Sequence, residues 1–103
     1  MSALFIVFVE KPEDHAEIEK YRKLGMPTLA AAKPRFVVGP GCEVTTVEGD
    51  DVEVVVALEF PSVEAAKGWY HSPDYQEALK HRLSTAKSRA VIVEKFKPPE
   101  AQA

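Results

Sequence analysis

The first strand of the chain is apolar on both of its faces. Residues Ala3–Glu10 (ALFIVFVE) are rich in β-branched and aromatic side chains, and a run of eight residues favours a strand over a helix. In an extended chain the apolar residues fall into two sets, Leu4, Ile6 and Phe8 on one side and Phe5, Val7 and Val9 on the other. Because a half-buried strand alternates apolar and polar residues, this pattern predicts a strand that is covered on both faces.

A helical segment follows this strand. Pro12, Glu13 and Asp14 are typical of a helix start, where carboxylates favour the positive end of the helix dipole. Apolar or small residues then recur at helical spacing, at Ile18, Tyr21, Gly25, Leu29 and Ala32. Pro27 lies within this stripe, and a proline disrupts the hydrogen bonding of the preceding helical turn. The pattern therefore predicts a helix that is kinked or split near Met26.

Two strands are predicted in the middle of the chain. Arg35–Val38 and Glu43–Val47 indicate one strand, interrupted at Gly39-Pro40-Gly41, where glycines on either side of a proline suggest a bulge or bend. Glu48–Asp51 has the composition of a turn. The next strand is Glu53–Phe60 (EVVVALEF), so we expect the two strands to form a hairpin.

Two serines mark helix starts in the C-terminal half. Ser62 is expected to cap one helix, and Ser72, which precedes Pro73, is expected to cap a second one. The buried face of this second helix is predicted to carry Tyr75, Leu79, Arg82 or Leu83, and Ala86. Arg89–Phe96 is the last predicted strand, and residues 98–103 are expected to form a disordered tail.

The element order is β-α-β-β-α-β. This order predicts an α+β, ferredoxin-like fold, with a four-stranded antiparallel sheet and the helices on one of its faces. At 103 residues the chain is expected to form a single domain, over residues 1–97. The uncovered apolar face would cost roughly 25 cal/mol per Å² in water. We therefore expect a homodimer through the open sheet face.

Charge and cysteine content argue against several functions. The net charge is −3 and basic residues are interspersed with acids, whereas proteins that bind nucleic acids or anionic membranes usually present a basic face. The longest apolar run, Ala3–Val9, is far shorter than the roughly 20 residues that span a bilayer. We read no signal peptide, and the single cysteine, Cys42, cannot form an internal disulfide. We expect a cytoplasmic protein with no nucleic-acid or membrane partner.

One string of the sequence carries a family resemblance. Residues 59–82 (EFPSVEAAKGWYHSPDYQEALKHR) combine a strand end, two helix starts and an arginine at fixed spacing. Together with Glu48-Gly49, they resemble the DUF1330 family of the dimeric α+β barrel superfamily, from about Leu4 to Phe96. The resemblance implies a ferredoxin-like fold and a dimer whose sheets form a barrel. It implies no particular activity, because DUF1330 is a family of unassigned function and its superfamily includes heme-handling proteins, cofactor-free monooxygenases and lactone isomerases.

The chain departs from this family just before its second strand. Family members usually have a Gly-Gly pair there, often after a histidine, whereas this chain has Lys33-Pro34. If the glycine pair lets a ligand approach the backbone, the corresponding site is lost or altered in this protein.

Arg82 and Glu59 are the candidate catalytic residues. Arg82 lies on the helix stripe that should face the sheet, where a guanidinium needs a carboxylate or several acceptors, and Glu59 and Glu48 are the candidate partners. Arg82 would either bind an anion at the mouth of a cleft or form a structural ion pair. Glu59 would act as a general base whose pKa is raised by burial, as an N-terminal partner of the helix that starts at Ser62, or as the counter-ion of Arg82.

Aromatic and histidine residues complete the candidate ligand-binding set. Trp69, Tyr70 and Tyr75, with Tyr21 from the first helix, could form the wall of a pocket for a flat ligand, although aromatic residues at helical spacing also build cores. His71, at the break between two helices, would be either the ligand of a heme or a solvated loop histidine. The three histidines lack the spacing of metal ligands, so we predict no metal site, and no sequence motif calls for a cofactor.

Two kinds of function fit these residues. The first is binding or conversion of a small anionic or aromatic metabolite between helices and sheet, in which Arg82 holds the anion and Glu59 or a tyrosine moves a proton. The second is a non-catalytic homodimeric domain with a structural or interaction role. A pocket of about 300 Å³ or more lined by Arg82 and Glu59 would favour the first, and direct contact between the two would favour the second. The sequence does not decide whether the protein is an enzyme.

Overall fold

The chain forms a four-stranded antiparallel sheet with its helices on one face, as seen in a computed structural model that describes residues 2–97. The elements are β1 (Ala3–Val9), α1 (His15–Gly25), a 3₁₀ turn (Met26–Thr28), α2 (Leu29–Ala32), β2 (Arg35–Val38), β3 (Val54–Phe60), α3 (Val63–Tyr70), α4 (Pro73–Thr85) and β4 (Ser88–Glu94). The strand order is β2-β3-β1-β4. The predicted α+β ferredoxin-like fold is confirmed, and the predicted tail, 98–103, lies outside the described residues.

The two faces of the sheet differ in burial. On the covered face, Phe5, Val7 and Val9 are at most 7% exposed and belong to a core that includes Trp69 and Tyr75 from the helices. On the opposite face, strand register brings together Leu4, Ile6, Phe8, Val55, Ala57, Val91 and Val93, which we call the open face. Its members at the centre of the sheet are shielded by their neighbours, whereas Phe8, Val91 and Val93 are 38–45% exposed. The first strand is therefore apolar on both faces, but the helices cover only one of them.

Local sequence sets the helix starts. The hydroxyls of Ser62 and Ser72 each accept a hydrogen bond from the backbone N–H three residues later, at 3.0 and 3.3 Å, so both predicted caps are confirmed. The first helix begins a few residues later than predicted. Its cap is Asp14, whose carboxylate accepts a hydrogen bond from the N–H of Ala16 at 2.9 Å. Capping serines thus position α3 and α4, the two helices that bring Trp69 and Arg82 to the sheet.

The first helical segment breaks at Pro27, as predicted. A 3₁₀ turn at Met26–Thr28 separates α1 from the short α2, and Lys33 is the C-cap of α2. Lys33 has φ 45° and ψ 53°, in the left-handed region. This conformation carries no steric penalty for glycine but costs other residues about 1–2 kcal/mol. A lysine therefore holds a glycine-like backbone just before β2, where the resemblance implies a glycine pair.

The predicted strand at Glu43–Val47 is wrong. β2 ends at Val38 after a register shift, and no strand is present before Val54 in this described part of the chain. The shift and the Gly39-Pro40-Gly41 turn carry the backbone away from β3, so the valines and threonines of the segment have no strand to pair with. We call residues 41–53 the arm.

Candidate functional site

Arg82 is a buried cation that lacks hydrogen-bond acceptors. It is only 2% exposed, and its Nε and Nη1 atoms have no partner among the described residues. Its closest compensation is the ring of Tyr21, whose centroid lies 5.3 Å from the guanidinium carbon. A buried donor without a partner costs about 1–3 kcal/mol, and more when it is charged. Binding of a ligand that brings a hydrogen-bond acceptor to this guanidinium is therefore favourable.

The predicted pairing of Arg82 with Glu59 is wrong, because the two residues lie on opposite faces of the sheet. Glu59 is opposite Leu4 and so projects on the side of the open face. Its Oε1 accepts hydrogen bonds from Arg35 Nη2 at 2.7 Å and Nε at 3.2 Å, and its Oε2 accepts one from Lys95 Nζ at 3.1 Å. These donors lower the pKa of Glu59 to about 2, so the raised pKa predicted for a buried base is also wrong.

A cavity of about 80 Å³ lies beside Arg82, between the helices and the covered face of the sheet. Its lining is mainly apolar and includes Phe5, Val7, Leu58, Tyr21, Trp69 and Tyr75. Met26 and Phe36 also line it, and because they are 53% and 43% exposed they mark its mouth. Glu59 is not part of the lining. The cavity is smaller than the roughly 300 Å³ of a typical ligand pocket, so it fits a group of only a few heavy atoms.

Of the four aromatic residues predicted for a pocket wall, Tyr21, Trp69 and Tyr75 line the cavity. Tyr70 packs against Phe5 and Tyr75 but is not part of the lining. The Tyr21 and Tyr75 hydroxyls share a hydrogen bond of 2.8 Å, and the Trp69 and Tyr75 ring centroids are 4.2 Å apart. Trp69 Nε1 donates to Thr28 Oγ1 at 2.9 Å, which ties α3 to the 3₁₀ turn. Burial, helped by the neighbouring Tyr21, raises the pKa of Tyr75 above its ordinary value. Tyr75 is therefore a neutral hydrogen-bonding group at neutral pH rather than a base.

His71 is not brought to this cavity. It is the C-cap of α3, it is exposed, and its ring centroid lies 5.1 Å from that of Tyr70. Sequence reasoning missed Met26, Thr28 and Phe36. The signal for Phe36 was available in the alternation of β2, because Phe36 pairs with Leu58 and so shares the covered face.

Metal ligation and membrane insertion find no support in residues 2–97. No three His, Cys, Asp or Glu side chains in this range are grouped so that they could hold a metal ion. None of the helices in the same range has both the length and the apolar character needed to cross a bilayer.

Comparisons with known proteins agree on the fold. No functionally curated protein matches the chain. A protein of unknown function from Rhodopseudomonas palustris, RPA0582, is 20% identical with a TM-score of 0.74, covering 94% of this chain and 84% of its own. A dimeric protein of unknown function and ferredoxin-like fold from Bacteroides fragilis is 17% identical with a TM-score of 0.63, covering 91% and 96%.

A protein with a described activity has a similar fold. SnoaB, a cofactor-independent oxygenase from Streptomyces nogalater, is 13% identical with a TM-score of 0.57, covering 96% of this chain and 95% of its own. Identities this low show that the fold is shared, and they carry no information about a shared chemistry. The family model described as "Domain of unknown function (DUF1330)" matches residues 2–96. The chain therefore belongs to the DUF1330 family.

Proposed function

We propose that the protein is a homodimer that binds a small monoanion with an apolar body, one in each subunit, through Arg82. The observation that carries this proposal is the buried guanidinium beside a cavity, whose Nε and Nη1 lack acceptors in the part of the chain that the structure describes. A carboxylate supplies both the acceptors and the opposite charge that this group lacks. Binding would thus relieve a cost that the unliganded protein bears.

The charges around the cavity favour a ligand with one negative charge. Arg22 and Glu53 also line the cavity, but Arg22 is paired with Glu19 at 2.8 Å and Glu53 lies 3.4 Å from His15. Arg82 is left as a single positive charge in apolar surroundings. A doubly charged ligand such as a phosphate monoester would bring a second charge with no partner.

The shape of the cavity favours a carboxylate at the inner end and an apolar body at the mouth. About 80 Å³ holds the charged group beside Arg82, with the neutral hydroxyls of Tyr21 and Tyr75 nearby as hydrogen-bonding groups. The exposed side chains of Met26 and Phe36 offer apolar contact to the rest of the molecule. A flat aromatic or short aliphatic monocarboxylate fits this description.

The homodimer is supported by the open face. That face presents seven apolar residues without a helix over it, and burying it against a second copy removes its apolar area from water. The similar proteins from Bacteroides fragilis and from Jannaschia sp. are both described as dimeric. We propose the same assembly here, built from one domain over residues 1–97 in each copy, and a cytoplasmic location.

The test uses Trp69, the single tryptophan of the chain, which lines the cavity. Titrating the protein with benzoate and with benzamide, its neutral amide counterpart, and following tryptophan fluorescence separates charge from shape. We expect saturable binding of benzoate and at least about tenfold weaker binding of benzamide, since charge-assisted hydrogen bonds are worth about 1.5–3 kcal/mol. Butyrate and butyramide repeat the comparison with a smaller body.

Matched variants locate the binding. Arg82→Met should abolish the preference for benzoate, whereas Arg35→Met, which removes an arginine from the opposite side of the sheet, should leave it unchanged. Equal binding of acid and amide, or a preference that survives in Arg82→Met, would rule out the proposed site.

The alternative function is a non-catalytic homodimeric domain, and the small volume of the cavity favours it. In that case the dimer forms, yet none of the carboxylates changes the fluorescence of Trp69 or the melting temperature. Arg82→Met then leaves the oligomeric state unaltered, because Arg82 lies on the covered face.

A further inference from the structure

The arm, residues 41–53, differs in charge from the rest of the chain. It contains five acids and no lysine, arginine or histidine; the acids are Glu43, Glu48, Asp50, Asp51 and Glu53. The whole chain has a net charge of −3, so removing the five negative charges of the arm leaves +2 on the remainder. Glu53 lies near His15, whereas the other four acids form no ion pair among the described residues. The arm is an acidic segment attached to a mildly basic body.

The arm also carries strand-forming residues that have no strand to pair with. Residues 44–47 read Val-Thr-Thr-Val, and within the described part of the chain they belong to no sheet. One hydrogen bond joins the two halves of the arm: the N–H of Val52 donates to Thr46 Oγ1 at 3.0 Å. Val47, near the tip, is 87% exposed. The tip of the arm therefore presents an apolar side chain to any molecule that packs against it.

The open face has one end that matches this arm in charge. Val55, Phe8 and Arg89 form a row across β3, β1 and β4 at the end of the sheet where the arm begins and ends. Arg89 is exposed and forms no ion pair among the described residues. At the other end of the face, Arg35 and Lys95 already share the carboxylate of Glu59. Arg89, which has no ion-pair partner among the described residues, therefore lies beside the apolar ring of Phe8.

We infer that in the homodimer the arm of one copy lies across the open face of the other, with Asp50 and Asp51 beside Arg89 of the partner subunit and Val47 on the apolar surface. This inference rests on the proposed homodimer and adds which segment completes its interface. The occupant is a second copy because the same chain supplies both the acidic arm and the basic, apolar face.

Symmetry is consistent with this contact. A two-fold axis parallel to the strands keeps the Arg89 ends of both sheets together. Because the strand order is β2-β3-β1-β4, the same axis places the β2–β3 side of one copy opposite β4 of the other. The arm connects β2 to β3, and Arg89 is the second residue of β4. Each copy therefore gives its arm and receives one, and the interface is self-complementary.

Complementary charge reversals test this inference. Asp50→Lys/Asp51→Lys reverses the arm, Arg89→Glu reverses the face, and Glu13→Lys/Glu64→Lys is a control that matches the net-charge change of the arm variant on exposed positions of the helix side. Sedimentation equilibrium at low salt gives the dimer Kd of each, and circular dichroism checks that each is folded. We expect about a tenfold or larger rise in Kd for the arm and face variants, less at high salt, and little change for the control.

Mixing the two reversed proteins provides the decisive result. In the mixed dimer the lysine-bearing arm of one copy meets the face reversed by Arg89→Glu, and the native arm of the other copy meets a native face. In an equimolar mixture, native mass spectrometry should therefore show a mixed dimer that clearly exceeds the half of all dimers that random pairing gives. A purely statistical mixture, or reversed variants that dimerise as tightly as the unmodified protein, would overturn the inference and leave the homodimer standing. An unmodified protein that is monomeric would overturn the homodimer itself, and the inference with it.

Discussion

Two charged residues, Glu59 and Arg82, lie on opposite faces of the same sheet in opposite surroundings. Glu59 receives hydrogen bonds from Arg35 and Lys95, whereas Arg82 is more deeply buried and finds no acceptor for Nε and Nη1 among residues 2–97. Because the hydrogen-bond partners of Glu59 lie within the protein, a structural role accounts for its contacts. A buried charge without partners in the protein weakens the fold, and an oppositely charged ligand would supply the missing partner. The comparison therefore separates a structural cluster from a candidate site.

The largest expected effect comes from replacing Arg82 by an apolar residue of similar length. Arg82→Met removes an unpaired buried charge and keeps the packing, so we expect the unliganded protein to gain about 1–4 kcal/mol in the free energy of unfolding. Urea denaturation at fixed protein concentration measures this change. The gain should accompany the loss of benzoate binding. A marked destabilisation would instead show that Arg82 is a structural residue, and the contrast with Glu59 would disappear.

A second cost on the helix side of the sheet is conformational. Lys33 has a positive φ, and Lys33→Gly removes the clash of its Cβ with the backbone. We expect a gain of about 1 kcal/mol in unfolding free energy, because part of the relief is offset by the flexibility of glycine in the unfolded chain. Lys33→Ala is the matched control, since it keeps the Cβ and should give little gain. Equal gains in the two variants would mean that the lysine side chain, and not the backbone, carries the cost.

A smaller effect is expected at the neutral hydroxyl near Arg82. Tyr75→Phe removes one partner of the 2.8 Å hydrogen bond to Tyr21 and should cost about 0.5–1.5 kcal/mol in unfolding free energy. It should weaken benzoate binding much less than Arg82→Met does, because Tyr75 contributes no charge. If Tyr75→Phe abolishes binding while Arg82→Met retains it, the anion is held by the tyrosines and the role given to Arg82 is incorrect.

The smallest effect is expected at Glu59, because its ion-pair partners Arg35 and Lys95 are largely exposed to solvent, and this effect depends on pH. The folded protein lowers the pKa of this carboxyl from 4.5 to about 2, so its ionised form stabilises the fold above pH 4.5. That contribution is lost as the pH falls from 4.5 towards 2. Glu59→Gln should therefore show a flatter dependence of melting temperature on pH in this window, with benzoate binding unchanged at neutral pH. Parallel melting curves for the two proteins would show that Arg35 and Lys95 contribute nothing through Glu59.

The sequence predicted most of the fold because its signals are local. Capping serines at Ser62 and Ser72 and the proline at Pro27 act on neighbouring backbone, and the apolar set on both faces of β1 indicated an uncovered face. The strand predicted at Glu43–Val47 failed because strand formation depends on a partner, and the bulge before the arm removes it.

The candidate site was only partly predictable. Helical spacing placed Tyr75 and Arg82 on one buried stripe, and Tyr21 and Trp69, which were also predicted, line the same cavity. The proposed Arg82–Glu59 pair could have been rejected from the sequence, because β3 alternates and Leu58 and Phe60 take the covered face. Met26 was missed because it reaches the mouth of the cavity through a 3₁₀ turn whose approach depends on tertiary packing, whereas the alternation of β2 already indicated the side of the sheet that Phe36 takes.

The most direct test of the central claim is to observe the guanidinium of Arg82 itself. The ¹H–¹⁵N resonances of the arginine side chains can be recorded by NMR with and without benzoate, and Arg82→Met identifies the signal. If Arg82 binds the anion, its signal should shift saturably with benzoate and should not respond to benzamide, while the Arg35 signal stays in place. An Arg82 signal that is unmoved by every carboxylate, in a folded dimer, would contradict this role of Arg82.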